Sequence, residues 1–310
     1  MTTTENDRAL DVGIDLGTTN SGVAAIESSG TIEVIPNLDG DLVTPSIVSV
    51  AGAPPVVGKA ARQDRFLNPE YCAEQFKRYM GRISEAGRPI GLVTGPDGTE
   101  YSPPMLAAEV LLYLKCSVEK LKGQKLTRAV ITVPAYFPES ARQATKDAGL
   151  IAGFEQVRIV DEPVAAAVYY GLTKTEPCKV AVFDFGGGTF DICILDNDGS
   201  GHTSTLAVDG KHECGGGNID EILMGKLQET ADRKGLELSP DKDLGQWLEA
   251  LDKCKEAKEI LARKDGAFIG LRIRDQRISV ELTNKDSRHG RLLLSRPSGP
   301  VANGPWTNPA

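Results

Sequence analysis

One stretch of the chain, Val180–Leu195, restricts the possible folds more than any other. It reads VAVFDFGGGTFDICIL, two apolar runs separated by an aspartate, three glycines and a threonine. Apolar runs of this length joined by turn residues predict a strand, a tight turn and a second strand. Three adjacent glycines are costly to order, which indicates that another group approaches the backbone closely. Exposed amide N–H groups in such a loop can bind phosphate, although a tight hairpin with a bulge would also use glycines.

The same pattern occurs a second time near the start of the chain. Val12–Ile26 reads VGIDLGTTNSGVAAI, with an apolar strand, Asp15, a Gly-Thr turn and another apolar strand. The period between the two hairpins is far too long for a solenoid repeat. Two similar hairpins therefore predict two related lobes, with the phosphates of a nucleotide between them.

These two segments resemble a known family. Gly13–Ser21 (GIDLGTTNS) and Asp184–Asp191 (DFGGGTFD) are similar to the two phosphate signatures of DnaK-type heat-shock chaperones, which belong to the actin and sugar-kinase superfamily. The resemblance covers roughly residues 11–283. It implies an α/β, two-lobed actin-like ATPase fold with duplicated ribonuclease-H-like lobes, the second of them incomplete. It also implies ATP or ADP, bound with Mg²⁺, as the ligand.

The resemblance implies a phosphate site built from both hairpins. Its binding residues would be Gly17, Thr18, Thr19, Asn20, Gly186, Gly187, Gly188 and Thr189. Asp15 and Asp184 would hold the waters of a Mg²⁺ ion, since carboxylates suit that cation. The catalytic residues would be Lys77, Glu162, Asp184 and Thr189.

Two of these catalytic residues also have a purely structural interpretation. Lys77 lies in Phe76–Arg82 (FKRYMGR), which is similar to the family's KRxxGR segment, whose first lysine reaches the terminal phosphates. Considered alone, Lys77 would more often be a solvated surface lysine. Glu162 stands where the family has the glutamate that orients the attacking water. Considered alone, Asp161, Glu162 and Pro163 suit the positive end of a helix, and capping would explain them.

The resemblance alone implies a relay, that is, residues that transmit the state of the bound nucleotide to the outside of the domain. It would include Pro134, at the end of the predicted strand 128–134, and Arg142. The alternative interpretation treats Pro138 as a helix start and Arg142 as an exposed basic residue.

Further nucleotide contacts are implied at Gly215, Gly216 and Lys258. In the family, one amphipathic helix supplies a Glu, a Lys and a Ser that contact the adenosine. Here Lys258 keeps the lysine, whereas Lys255 stands at the Glu position and Ala262 at the Ser position. We therefore expect weakened binding on the adenine side.

Hydrophobic periodicity predicts the remaining elements. It indicates helices over 104–122, 139–152, about 219–234 and 243–263, and a hairpin over 268–273 and 278–282. Gly123 is expected to end the first of these helices. The last helix is predicted to be amphipathic, with an apolar stripe at positions 244, 247, 248, 251, 254, 258 (the stem of its side chain only) and 261.

The domain organisation follows from the resemblance and from shifts in composition. We expect a disordered tail over 1–10, lobe I over 11–178 with an inserted subdomain over about 44–108, and a partial lobe II over 179–284 with a subdomain over about 219–284. Residues 285–310 have lost periodicity and predict a disordered tail outside the family pattern. We also expect the chain to lack the second adenosine loop, the helix that returns to lobe I and the peptide-binding domain.

Composition excludes several classes of protein. The 310 residues carry 43 acidic and 35 basic side chains, a net charge of −8, which argues against a general nucleic-acid or membrane-surface binder. Six scattered cysteines and three histidines argue against a zinc site and favour buried free thiols. The polar N-terminus does not resemble a signal peptide, and no apolar window reaches a membrane-spanning length. We expect a cytoplasmic protein.

Three functions remain open at this point. The first is a working ATPase domain of a DnaK-type chaperone, with a J-domain co-chaperone and a nucleotide-exchange factor as partners by resemblance. The second is a non-catalytic remnant or interaction module with weak nucleotide binding. The third is an actin-like or sugar-kinase-like relative, which the Lys77 segment and the motif at 161–167 disfavour.

Overall fold

The computed structural model describes residues 10–26, 30–171, 176–200, 202–212 and 214–283. The tail predicted over 1–10 lies, except for Leu10, outside the described residues, and so does the tail predicted over 285–310. The chain divides into two compact units, one ending at Gly215 and the other beginning at Gly216. The predicted boundary between lobes at 178 and 179 stays a prediction.

Both units contain strands and helices. The strands are β1 Asp11–Asp15, β2 Asn20–Ile26, β3 Ile32–Ile35, β4 Thr44–Pro45, β5 Ile47–Ser49, β6 Val56–Val57, β7 Cys72–Glu74, β8 Val93–Thr94, β9 Glu100–Tyr101, β10 Arg128–Val133, β11 Gln156–Asp161, β12 Cys178–Phe185, β13 Thr189–Asn197, β14 Thr203–His212, β15 Gly266–Ile273 and β16 Gln276–Thr283. The helices are α1 Lys59–Asp64, α2 Pro103–Lys122, α3 Glu139–Ile151, α4 Glu162–Gly171, α5 Gly216–Asp232 and α6 Leu244–Leu261. The predicted helices and hairpins are therefore confirmed to within a few residues.

The first unit is built on a mixed six-stranded sheet. Its order is β11-β10-β1-β2-β3, with β4 also paired to β2. Strands β1, β10 and β11 run parallel, whereas β2 is antiparallel to β1. Val12 and Ile14 of β1 are buried while their neighbours in the strand are exposed, as a strand with one buried face requires. This pairing places Asp15, at the end of β1, opposite Thr132 of β10.

Helix α2 covers this sheet with an apolar stripe. Ala107, Val110, Leu111 and Leu114 are at most 1% exposed. Gly123 ends the helix in the left-handed conformation, with φ of 65°, which glycine adopts without a steric penalty. The sequence prediction for this helix is confirmed.

A second sheet of the first unit joins β12, β13 and β14 in antiparallel order. Helix α4 packs on one face of it, where Ala167, Cys193 and Leu195 form a small buried cluster. The turn with the three glycines, which joins the end of β12 to the start of β13, therefore belongs to the sheet on which α4 packs.

The second unit packs α5 and α6 against the hairpin of β15 and β16. Its core includes Leu223, Leu227, Ile278 and Leu282, all less than 1% exposed. Helix α6 begins after Asp243, whose Oδ1 accepts a hydrogen bond from the Gln246 amide at 2.9 Å. Such an N-cap satisfies one of the free amides of the first turn.

The predicted stripe of α6 is confirmed in part. The buried residues are Ala250, Cys254, Ala257 and Leu261, of which Cys254 and Leu261 belong to the predicted stripe. The other predicted positions are partly buried, and among them Trp247 packs against the same core. No helix in the described part of the chain is long and apolar enough to cross a membrane.

Candidate nucleotide-binding site

Each hairpin turn is held in place by a neighbouring segment. In the first hairpin, Ser46 Oγ donates to the Gly17 carbonyl at 2.8 Å, and the Ser46 amide donates to the Thr19 carbonyl at 2.8 Å. In the second, the Gly186 amide donates to the Thr189 carbonyl at 3.0 Å, and the Cys214 amide donates to the Gly188 carbonyl at 3.2 Å. Backbone groups of both turns are thus fixed before any ligand arrives.

The two turns face each other at very short range. A Cβ atom on Gly187 would lie 2.2 Å from Thr19 Oγ1, and one on Gly188 would lie 3.1 Å from Thr18 Cγ2. Side chains on these glycines would fill the space between the hairpins. The close approach inferred from the three glycines is therefore present, and its partner is the first hairpin.

Between the turns lies a cavity of about 480 Å³, which we call the main cavity. Eleven residues predicted for the site line it, namely Asp15, Gly17, Thr18, Thr19, Asn20, Lys77, Glu162, Asp184, Gly186, Gly187 and Thr189. Thr132, Ala165 and Ala166 also line it. Segments far apart in sequence therefore supply threonine hydroxyls, backbone amides, one lysine ammonium and three carboxylates to one space.

Lys77 and Glu162 form a buried ion pair at the wall of the main cavity. Lys77 Nζ lies 2.6 Å from Glu162 Oε1, and the two side chains are only 5% and 16% exposed. Lys77 sits on a 3₁₀ turn, Phe76–Tyr79, and its ammonium lies 5.9 Å from the centre of the Phe137 ring. The structure thus contradicts the interpretation of Lys77 as a solvated lysine. Glu162 is the first residue of α4, and its carboxylate contacts Lys77.

Burial raises the pKa of Glu162 above its ordinary value of 4.5. Lys77 acts in the opposite direction, whereas the carboxylates of Asp15 and Asp184 add to the rise. A carboxylate with a raised pKa is a better proton acceptor near neutral pH than an ordinary one. The site therefore combines a cation with a carboxylate of increased basicity.

Replacing Glu162 with glutamine should change how stability depends on pH. Because its folded pKa is raised, the native state binds more protons than the unfolded chain above pH 4.5. The stabilising contribution of Glu162 is thus complete below that pH and is lost as the pH rises through the folded pKa. The difference in melting temperature, Glu162→Gln minus wild type, should therefore increase between about pH 4 and pH 8.

The matched control is Glu155→Gln, at an exposed glutamate. Its melting temperature should differ from that of the wild type by a constant amount across the same range. A constant difference for Glu162→Gln as well would contradict the raised pKa.

The two residues predicted for the relay, Pro134 and Arg142, both contribute to the loop that follows β10. Arg142 donates to the carbonyls of Ala135, at 3.0 Å, and Phe137, at 3.1 Å, and lies 2.6 Å from Asp161 Oδ1. Pro134 is buried at the start of this loop. Arg142 thus connects this loop to the residue preceding Glu162, and its relay role stays a prediction.

The remaining predicted residues lie outside the main-cavity lining. Gly188 packs on Thr18, and buried Gly215 lies behind the glycine turn, where a Cβ would come within 2.6 Å of the Gly187 carbonyl carbon. Gly216 and Lys258 belong to the second unit. There, Lys258 Nζ donates to the Gly216 carbonyl at 3.0 Å and to Asp220 at 2.7 Å.

Sequence reasoning missed Thr132 as a member of the site. Its Oγ1 lies 3.2 Å from Asp15 Oδ1 and donates to it, which fixes that carboxylate at the cavity wall. The available signal was its position, since Thr132 is a polar residue near the carboxyl end of a strand parallel to β1. Ligands in α/β sheets bind at such ends.

A family model described as Hsp70 protein matches residues 11–289 of this chain. The chain belongs to the Hsp70 family. The match extends six residues past the end of the resemblance seen in the sequence, and it includes both hairpins and every residue of the main cavity.

Membership of the Hsp70 family accounts for the architecture described above. The mixed α/β elements fit the actin-like ATPase fold, and the matched residues form a nucleotide-binding ATPase domain of an Hsp70 chaperone. Hsp70 ATPases bind ATP or ADP with Mg²⁺, and the donors present fit these ligands. Gly186 and Gly187 line the cavity without side chains, and Asp15 and Asp184 supply carboxylate oxygens of the kind that Mg²⁺ prefers.

Proposed function

We propose that this domain binds Mg-ATP in the main cavity and hydrolyses it to ADP and inorganic phosphate, as a DnaK-type member of the Hsp70 family. One observation carries the proposal. The buried Lys77–Glu162 pair opens onto a cavity lined by two glycine-containing turns and two aspartates. Each group required for phosphoryl transfer to water is represented in this one space.

The two turns would bind the phosphates. The Gly186 amide already donates to the Thr189 carbonyl within the turn, so the donors that we propose for the phosphate oxygens are the Gly187 amide and the hydroxyls of Thr18 and Thr19, whose residues line the main cavity. Ser46 and Cys214 donate to carbonyls of these turns, so the turns need little reorganisation on binding. Such preorganised donors stabilise charge more effectively than mobile ones.

Asp15 and Asp184 would hold the magnesium ion through its waters. Mg²⁺, when bound, would neutralise phosphate charge and orient the phosphate oxygens. Thr132 supports this role because its hydrogen bond fixes one carboxylate oxygen of Asp15. We propose Thr132 as a positioning residue for the metal ligand.

Lys77 and Glu162 would act on the hydrolytic step itself. A water oxygen attacks the γ-phosphorus, a new P–O bond forms, and the bond to the β-phosphate oxygen breaks. The Glu162 carboxylate orients this water and accepts its proton, which its raised pKa favours. The Lys77 ammonium stabilises the negative charge on the transferring phosphoryl group.

Calorimetric titration with Mg-ATP and Mg-ADP at physiological salt tests this function. The wild type should bind both nucleotides, and Asp184→Asn should bind them at least about tenfold more weakly, because it loses one of two carboxylates for the metal. Asp147→Asn, at an exposed aspartate on α3, is the matched control and should bind as the wild type does. Absence of binding to the wild type at millimolar nucleotide would refute the proposed function, and unchanged binding to Asp184→Asn would refute the role of that residue.

Membership of the family also suggests partner proteins and further nucleotide contacts. Hsp70 ATPase domains work with co-chaperones, and we propose a J-domain protein and a nucleotide-exchange factor as partners of this chain. Lys258, Gly215 and Gly216 are proposed nucleotide contacts on the same grounds.

A further inference from the structure

Ser46 contacts the segment Gly17–Ser21, which we call the first turn, at three positions. Its Oγ donates to the Gly17 carbonyl at 2.8 Å, and its amide donates to the Thr19 carbonyl at 2.8 Å. Its Oγ also lies 2.9 Å from Ser21 Oγ. The start, the middle and the end of the first turn are therefore bound by one residue, which lies 25 positions beyond Ser21 in the chain.

The direction of the two hydroxyl hydrogen bonds follows from the number of protons available. A serine hydroxyl has one proton to donate, and Ser46 donates it to the Gly17 carbonyl. Ser21 therefore donates to Ser46, and the hydrogen bonds form a chain from Ser21 through Ser46 to Gly17. Both serines are at most 2% exposed, so bulk water does not compete for these bonds. Hydrogen bonds in such a chain strengthen one another.

Ser46 is itself fixed by the strands on either side of it. The strand before it, β4, pairs with β2. The strand after it, β5, pairs with both β6 and β7, and all three of its residues are buried. Because Ser46 lies between two paired strands, its hydroxyl is directed at the Gly17 carbonyl before any ligand binds.

The same segment connects the first turn to Lys77. Strands β5 and β7 are antiparallel, with Ile47 opposite Glu74. Ser46 immediately precedes Ile47, and Lys77 follows Glu74 by three residues, on the 3₁₀ turn Phe76–Tyr79. Ser46 and the turn that carries Lys77 are therefore attached to the same end of one strand pair. This strand pair sets the spacing between the first turn and the Lys77 ammonium.

We propose that Ser46 is a positioning residue for phosphate binding and transfer. Its hydroxyl holds the first turn where Thr18 and Thr19 would bind phosphate oxygens beside Lys77. This inference rests on the proposed function for the reaction itself. Ser46 is not among the described residues that line the main cavity, so it acts through the first turn and does not touch the nucleotide.

Removing the Ser46 hydroxyl should loosen the first turn without breaking every contact to it. Ser46→Ala keeps the amide that donates to Thr19 and loses both hydroxyl hydrogen bonds. The Gly17 carbonyl and the Ser21 hydroxyl each lose a buried partner, which costs stability. The turn would also gain freedom that phosphate binding must then remove, and this lowers affinity.

The test compares Ser46→Ala with Ser117→Ala. Ser117 is also buried, and its Oγ also donates to a backbone carbonyl at 2.8 Å, that of Tyr113, but it lies within α2 and outside the main-cavity lining. Both variants should therefore lose a similar amount of melting temperature. Calorimetric titration should show Mg-ADP bound about tenfold more weakly by Ser46→Ala and within about twofold of wild type by Ser117→Ala. Turnover at saturating Mg-ATP, measured below both melting temperatures, should fall about tenfold in Ser46→Ala alone.

A second variant and a second readout keep the test decisive if Ser46→Ala folds poorly. Ser21→Ala removes the donor to Ser46 and keeps the bonds from Ser46 to Gly17 and Thr19, so its Mg-ADP affinity should lie between those of wild type and Ser46→Ala. Hydrogen–deuterium exchange of the nucleotide-free protein needs no ligand. Amides of residues 13–21 should exchange at least about threefold faster in Ser46→Ala than in the wild type, and at the wild-type rate in Ser117→Ala.

The outcomes separate this inference from the proposed function. If Mg-ADP fails to bind the wild type, the proposed function fails, and hydrogen exchange of the nucleotide-free protein still decides whether Ser46 positions the first turn. If affinity and turnover fall in Ser46→Ala and not in Ser117→Ala, the inference is supported. Equal losses in both variants would assign the effect to general destabilisation and overturn the inference. Wild-type affinity and exchange in both Ser46→Ala and Ser21→Ala would also overturn it.

Discussion

Replacing Lys77 with methionine should reduce steady-state ATP hydrolysis by at least about 100-fold, the usual effect of removing one preorganised charge-stabilising group. Methionine keeps the length of the side chain but removes the ammonium. The Glu162 carboxylate would then lie buried without its cation, beside Asp15 and Asp184, and its pKa would rise further. The variant would thus lose the stabilising charge and have a less ionised proton acceptor. The rate of phosphate release at saturating Mg-ATP measures this effect.

The chain offers a matched control at Lys115. This lysine is also nearly buried, at 8% exposure, and its ammonium lies 2.8 Å from Glu119, but it does not line the main cavity. Lys115→Met should lose stability, because it breaks a partly buried pair, and should keep wild-type turnover below its melting temperature. Equal losses of turnover in both variants would show that the Lys77 effect arises from impaired folding, and wild-type turnover in Lys77→Met would refute its role.

The sequence predicted the parts of the site that depend on short-range chemistry. Each hairpin combines a strand, an aspartate and glycines within about fifteen residues, so local rules are sufficient to find it. Helix α2 was predicted for the same reason, since its apolar period and Gly123 both lie within one segment. Residue-level interpretation predicted the two glycine-containing turns, and the resemblance predicted that Lys77 lies beside them, where the structure has it in the lining of the main cavity.

The parts that could not be predicted depend on distant pairings. Lys77 and Glu162 are 85 residues apart, and their ion pair exists only because the turn after β7 and the start of α4 meet at one cavity. The contact of Thr132 with Asp15 requires the parallel register of β1 and β10. Neither pairing leaves a periodic signal in the chain, because partner and register are set by the whole sheet.

The buried face of α6 shows a different limit of sequence reasoning. Counting large apolar residues selected a stripe that included Leu244, Trp247 and Leu251, yet these residues are only partly buried. Cys254 and Leu261 of the predicted stripe are buried, and the helix also buries Ala250 and Ala257. A count of large apolar residues leaves out these alanines, whose small side chains fit a closely packed contact.

Gly215→Ala should weaken binding of Mg-ADP at least about tenfold while the fold is retained. A Cβ at this position would lie 2.6 Å from the Gly187 carbonyl carbon and 2.7 Å from the carbonyl oxygens of Gly186 and Gly187. All three atoms belong to the backbone, so no side-chain rotation relieves the clash, and the glycine turn must move. The Gly187 amide would then lose the position from which we propose that it binds phosphate. Calorimetric titration measures the affinity, and far-UV circular dichroism monitors the fold.

The same substitution at Gly225 provides the control. Gly225 lies inside α5, and a Cβ there would meet nothing within 4 Å. Because alanine favours a helix interior over glycine by up to about 1 kcal/mol, Gly225→Ala should raise the melting temperature and keep wild-type affinity. The two variants add an identical methyl group, so opposite results would assign the loss at Gly215 to displacement of the turn. Wild-type affinity in Gly215→Ala would mean that the turn can move without affecting the phosphates, and the proposed amide contact would then be wrong.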